Sequence, residues 1–157
     1  MPGTIAPDDI VETFAQADGN DRAPLLVLEP LARFLDAHSI GAGGEIAASP
    51  IGEGHSNVTY LIERADAEVV LRRPPRGPLP PSAHDVLREA RLLTALAPTP
   101  ARVPAVLAVC EDEAVIGCPF YVMERIPGEV IVSSVPAALD SPTERRRIGE
   151  QLIDALV

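Results

Sequence analysis

Three stretches of this sequence carry groups whose types and spacing could do chemistry. The first is GEGHSN, Gly52–Asn57. Its two glycines let the backbone come close to a ligand, and successive free amides in such a turn make a concavity suited to phosphate oxygens. No Gly-Lys-Ser/Thr follows, and the next segment reads as a strand rather than a helix, so it is neither a Walker loop nor a dinucleotide fingerprint. Taken alone it reads more readily as an ordinary glycine hairpin turn. The second is Arg72 together with Glu89. On a helical wheel of ~100° per residue, Ala90, Leu93 and Ala97 fall within about 40° of Val86, and Glu89 lies between Leu93 and Leu96 while Arg88 and Arg91 point away. A carboxylate on the core-facing edge of a helix needs a cationic partner, because an unpaired buried charge is costly. Arg72, on the strand just before, is the candidate; the other reading is a Glu89 that reaches water at the helix edge. The third stretch is FYVMERIPGE, 120–129. A strand running into Pro127 and Gly128 suits a linker between two bodies whose exposed backbone groups could bond a flat base, and equally suits any strand that ends in a turn.

The elements that must hold these groups are readable from periodicity. Val27, Leu28, Leu31, Phe34 and Leu35 recur at helical spacing from Val27 to His38, and the run stops at Gly41, Gly43 and Gly44. Strands follow at about 45–51, 58–63 and 68–72, the last two forming a hairpin across the short turn RADA. PPRGPLPPSAH cannot continue a sheet interior and reads as an exposed connection. A second helix is expected from Ser82 or Ala83 to about Ala97, capped by Ser82 with Asp85 completing the box and stopped by Pro98 and Pro100. Strands at about 105–111 and 119–126 flank EDEAVIGC. This order predicts an α+β fold, a five-stranded mostly antiparallel sheet with one packed helix, rather than an alternating parallel one. The last segment opens with Ser141 as cap, Pro142 at the first helical position and Glu144 closing the box, and places Ile148, Leu152, Ala155 and Leu156 on one stripe. With no stop signal before Val157, it reads as a helix of a chain cut within a longer one, whose stripe had a partner.

Composition narrows the function classes. A chain of 157 residues, 46% hydrophobic and 23% charged, fits one soluble globular domain. No apolar run approaches the ~20 residues of a spanning helix, and the acidic N-terminus lacks a signal sequence, so a cytoplasmic location is expected. Residues 1–24 read as a loosely held arm. Cys110 and Cys118 form no disulfide framework or zinc spacing and read as small buried hydrophobes. A net charge of -10 argues against nucleic acid and membrane surfaces as partners. Against that background residues 72–91 hold five arginines, Arg72, Arg73, Arg76, Arg88 and Arg91, opposed by Asp85 and Glu89, which predicts a local basic site. All 13 basic residues are arginine, so any anion-binding role that lysine usually fills must be filled otherwise.

The combined string is more specific than its parts. IGEGHSNVTYLI, VVLRRPPRGPLPPSAHDVLREARLL and VIGCPFYVMERIPGEVI, covering about 46 to 131, resemble a protein-kinase-like N-terminal lobe. They resemble most the aminoglycoside phosphotransferase and choline kinase-like superfamily, nearest the branch whose members look like the phosphotransferase domain joined to acyl-CoA dehydrogenases. The resemblance implies a division into the arm 1–24, a nucleotide-binding lobe over 25–131 that includes the N-terminal helix, and residues 132–157 as a hinge-following segment and the first helix of a missing C-terminal lobe. It implies that Gly52, Glu53, Gly54, His55, Ser56 and Asn57 cover the phosphates of ATP or GTP. His55 is read as an exposed member of that loop without a metal partner. Arg72 would stand where related kinases place a lysine on the α- and β-phosphates, held by Glu89. Met123 would lie behind the base, with the Glu124 carbonyl and Ile126 amide on its edge. In the family an aspartate of a His-Gly-Asp loop orients the acceptor hydroxyl, and a later asparagine and aspartate hold magnesium. None of these motifs occurs in this sequence, so no catalytic base is nominated, the magnesium ligands are expected outside it, and the chain alone is expected to be inactive. The implied function is phosphoryl transfer to a small-molecule hydroxyl. The alternative is a non-catalytic nucleotide-binding or regulatory module that self-associates through residues 142–157.

Overall fold

The computed structural model describes residues 9–52, 57–78, 83–128, 131 and 134–155; Glu53, Gly54, His55 and Ser56 of the expected loop, and the expected cap Ser82, lie outside the described residues. The sequence of elements is β1 (Ile10–Val11), β2 (Leu26–Val27), α1 (Leu28–Ala37), β3 (Ile46–Pro50), β4 (Val58–Arg64), β5 (Ala67–Arg73), α2 (Val86–Leu96), β6 (Val106–Cys110), β7 (Phe120–Glu124) and α3 (Pro142–Asp154). Strands β3 to β7 form the expected five-stranded sheet in the order β3-β4-β5-β7-β6, every neighbouring pair antiparallel.

Period-two alternation gives the sheet two faces with different tasks. Tyr60, Ile62, Leu71, Phe120 and Val122 point into the main core, where Leu31 and Leu35 of α1 pack on them. The Phe34 ring meets Phe120 edge-on with centroids 5.0 Å apart. Each fully buried leucine or phenylalanine there contributes about 1.5–3 kcal/mol over an exposed one. Residues of the opposite parity, among them Arg72, Tyr121 and Met123, face α2. Val86, Ala90 and Tyr121 form a small buried cluster there, joined by Leu93, Val106 and Met123.

Three expectations are corrected. Helix α2 begins at Val86, with Asp85 as its cap: the Asp85 carboxylate accepts from the Arg88 amide at 2.8 Å. His84, just before it, has φ of 60°, a left-handed conformation that cannot continue a right-handed helix backwards, so Asp85 takes the capping role assigned to Ser82. The expected loose arm is held down over its described part, 9–24. Ile10–Val11 pairs in parallel with Leu26–Val27, and Asp9 is buried in an ion pair with Arg76. Arg76 Nε donates to the Ala23 carbonyl, and Arg73, itself buried, donates to the Leu25 carbonyl. Pro74 is buried along this contact, so PPRGPLPPSAH does not begin as an exposed connection.

A buried arginine also closes the other end of the main core. Arg64 donates to the carbonyl of Gly44 at 2.7 Å and to that of Ile40 at 3.3 Å, and pairs with Asp36 at 2.8 Å. The arginine and the Gly43 amide hold the Asp36 carboxyl below its usual pKa. The chain after α1 can lie this close only because of glycine. A Cβ on Gly41 would stand 2.4 Å from the Arg64 carbonyl oxygen, whereas one on Gly43 would meet nothing within 4 Å. Both glycines have left-handed φ, 55° and 75°. Gly43→Ala should therefore cost about 1–2 kcal/mol, the strain of that conformation. Gly41→Ala should cost roughly 3 kcal/mol or more, because a backbone atom must also move. Denaturant unfolding of the two variants checks this, and equal losses would contradict the packing argument.

The chain's two tyrosines, Tyr60 and Tyr121, are each 1% exposed, and burial is the first cause that pushes both phenols up from 10.0 to about 12. A pKa raised in the folded state contributes stability below the unfolded value and loses it as pH climbs through the folded one. Stability should be level below pH 10 and fall between 10 and 12 by on the order of 2–3 kcal/mol per phenol. Tyrosinate absorbance reports it directly: ionisation of the folded protein with a midpoint at the ordinary value of 10 would refute it.

Candidate functional site

The face of the sheet under α2 brings the expected pair together. The two-residue turn at Ala65–Asp66 sets Arg64 opposite Ala67, and counting back along the ladder sets Thr59 opposite Arg72; on the other side Arg72 is in register with Tyr121. Thr59, Arg72 and Tyr121 thus form one row across β4, β5 and β7. Above them, one turn into α2, stands Glu89. Arg72 Nε donates to Glu89 Oε2 at 3.0 Å and a terminal guanidinium nitrogen donates to Thr59 Oγ1 at 3.2 Å. Glu89 is neither deeply buried nor free in water: side-chain exposures of 28% for Arg72 and 33% for Glu89 leave the pair open along one edge.

Glu89 Oε2 accepts a second bond, from Asn57 Nδ2 at 3.1 Å, and Tyr121 lies close enough for the Glu89 carboxylate to act on its phenol. After burial, the charge on Glu89 is the next cause of the raised Tyr121 phenol. Asn57 is buried at the foot of β4, and its Oδ1 lies 3.3 Å from Nδ1 of His84. Because its amide nitrogen faces a carboxylate, its oxygen faces His84, so Nδ1 of His84 carries the proton of that bond. Thr59, Tyr121 and His84 went unread in the sequence. The first two are recoverable from strand register and alternation, whereas nothing in the residue string announces the left-handed turn at His84.

The remaining expected residues fall as follows. Gly52 has φ of 83°, which favours glycine, and follows Ile51, whose amide still bonds the Thr59 carbonyl at 2.9 Å. Met123 is half-buried against the α2 cluster, on the same face as Arg72. Glu124 ends β7 with its amide bonded to the Ala105 carbonyl at 2.9 Å. Ile126 is 59% exposed, and among the described residues its amide takes part in no backbone bond outside the helices and ladders. Arg125 pairs with Glu68 and ties this exit to β5. Gly128, with φ of 151°, adopts a conformation that side chains rarely enter.

The expected local basic site does not form as a cluster. Arg73 and Arg76 turn to the N-terminal segment, and Arg91 lines a groove of about 290 Å³ along the other flank of α2, with Leu87, Thr94 and Val109. Arg72 is the member that reaches the Glu89 site. Cys110 and Cys118 are buried, and burial raises both thiols, which makes them poor nucleophiles near neutral pH. Among the described residues, no three His, Cys, Asp or Glu side chains gather as a metal site would require, and no helix is long and apolar enough to cross a membrane.

Comparison with known proteins agrees with this geometry. A crystal structure from Ralstonia eutropha, provisionally described as an aminoglycoside phosphotransferase, superposes with a TM-score of 0.64 at 32% identity, covering 81% of this chain and 36% of that one. Acyl-CoA dehydrogenase family member 10 of Mus musculus is 46% identical over 98 residues, 62% of this chain and 9% of that protein. Acyl-CoA dehydrogenase family member 11 of Homo sapiens is 30% identical over 159 residues, 99% of this chain and 19% of that protein. The chain thus spans under a fifth of these curated relatives. The sheet order and packed helix are those of a kinase-like N-terminal lobe, as the motif string implied. Residues 47–157 match the model of the phosphotransferase enzyme family, and the chain belongs to that family.

Proposed function

We propose that this chain is the nucleotide-binding lobe of an ATP- or GTP-dependent phosphotransferase acting on a small-molecule hydroxyl. The observation that carries the reading is the Arg72–Glu89 pair at 3.0 Å, on the sheet face that also presents Met123 and leads into Glu124–Gly128. In this reading Arg72 contacts the α- and β-phosphates, where a planar fork replaces the point charge of a lysine. Glu89 keeps that fork from swinging to solvent. The Glu124 carbonyl and the Ile126 amide bond the base edge, Met123 closes the space behind it, and the loop opened by Gly52 covers the phosphates. Magnesium would accompany the phosphates, and no residue of this chain is assigned to it. Phosphoryl transfer then depends on groups this sequence does not carry, since it contains no His-Gly-Asp loop.

A second reading, a nucleotide-binding or regulatory module that pairs through α3, has one observation in its favour. Ser141 caps α3 through the Glu144 amide at 3.2 Å, yet none of its described residues is buried, and Leu152 is 64% exposed. Sedimentation separates the two: concentration-dependent dimerisation abolished by Leu152→Glu favours the module.

Titration calorimetry with ATP and GTP tests the leading reading. Arg72→Ala should weaken nucleotide binding about tenfold or more, the usual consequence of losing a charge-assisted contact. Equal heats for wild type and variant would remove Arg72 from the site. The chain mixed with nucleotide and aminoglycoside should show no phosphoryl transfer, and turnover above background would overturn the assignment of catalysis to absent groups.

A further inference from the structure

Glu89 has more partners than the pairing with Arg72 requires, and the extra ones point to a positioning device. Asn57 is buried, ends the chain's passage through the glycine-bearing loop, and spends both ends of its amide on contacts outside its own strand. Its nitrogen reaches Glu89 Oε2 at 3.1 Å, the same oxygen that accepts from Arg72. Its oxygen meets Nδ1 of His84 at 3.3 Å, and His84 is held at φ 60° immediately before the Asp85 cap. A left-handed histidine costs backbone energy, and such strain persists only where surrounding contacts over-determine it.

We propose that Asn57, oriented by His84, is a positioning residue that fastens the foot of β4 to the start of α2 through Glu89. One carboxylate oxygen then sets both Arg72 and the point from which the glycine-bearing loop departs. The inference rests on the nucleotide reading for its functional consequence, because a fixed loop foot matters to a ligand that the loop covers. Its structural content stands apart from that reading. Asn57 contacts the phosphates through no assigned side-chain bond; it acts through Glu89.

The test uses the full chain, with ADP and GDP as probes beside adenosine and guanosine. Asn57→Leu fills nearly the same space and keeps neither bond. It should lower diphosphate affinity about tenfold while nucleoside affinity stays within about twofold, since the base edge lies at Glu124–Ile126. Loss of both ligand classes in equal measure would mean a general structural role and overturn the proposal. Amide hydrogen exchange at Gly52 and Asn57 in the unliganded protein supplies a readout that needs no nucleotide: Asn57→Leu should speed it about tenfold. If the wild type binds neither diphosphate nor nucleoside, the nucleotide reading fails, and the exchange result alone decides the fastening. His84→Gly retains the left-handed backbone without the imidazole. It should keep the thermal midpoint and still speed exchange at Asn57; unchanged exchange would remove His84 from the device. Should Asn57→Leu not fold, Asn57→Ser carries the same test.

Discussion

Glu89 places a carboxylate at the margin of an apolar layer, and the arrangement on the α2 face of the sheet follows from that constraint. Its helix buries Val86 and Ala90 one turn apart, which fixes the side of α2 that touches the sheet and leaves Glu89 on the rim of the contact. A carboxylate there loses part of its hydration and must recover it from donors. Arg72 and Asn57 supply them from strands β5 and β4, and Tyr121 of β7 stands beside the same carboxylate. Removal of any one donor leaves the others facing an under-satisfied charge, so the cluster behaves as a unit rather than as a sum of pairs.

The opposite face solves a different problem with the same residue type. Arg64 and Arg73 are nearly inaccessible, and both donate to backbone carbonyls, with Asp36 adding charge balance to Arg64. A guanidinium offers five donors in a plane, so one side chain can close several open carbonyls at the end of a helix and a strand. A chain without lysine therefore uses arginine both as an internal brace and as the exposed fork at position 72. Burial lowers the Arg73 pKa, and the neighbouring Cys118 and Tyr60 act against that shift.

Much of this was legible before the coordinates. Val86, Ala90, Leu93 and Glu89 followed from helical phase, and the pairing with Arg72 followed from the cost of leaving a half-buried carboxylate alone. The hairpin itself followed from the short turn RADA between two β-branched runs, whereas its register, and with it the position of Thr59, came from the structure. What was not legible is non-local. Local composition suggested a loose arm over residues 1–24, because nothing there reveals that carbonyls 23 and 25 will meet two arginines some fifty positions later. The same contacts dissolved the basic cluster read from residues 72–91: sequence proximity counts charges, while strand alternation and a turn after β5 send Arg73 and Arg76 to the other side of the sheet. Ser82 looked like a cap because Asp85 stood three residues on. The left-handed turn at His84 made Asp85 the cap, and a backbone angle of that kind leaves no mark in periodicity.

The construction of the site also says how it can move. Its side-chain donors come from the foot of β4 and the end of β5, with Tyr121 of β7 beside them, and α2 meets the sheet in a small apolar cluster of Val86, Ala90 and Tyr121 joined by Leu93, Val106 and Met123. A rotation of α2 that preserved this small contact would still carry Glu89 away from its donors, because the carboxylate sits at the rim where displacement is largest. Arg72 would then lose its orientation without any strand of the sheet being disturbed. The rigid part is the five-stranded ladder with its main core on the far face. The adjustable part is a helix held by a small apolar patch and a set of hydrogen bonds to a single carboxylate. Coupling between loop foot, arginine and helix follows from this asymmetry, since the sheet is too well supported to yield and the helix contact is the weaker joint.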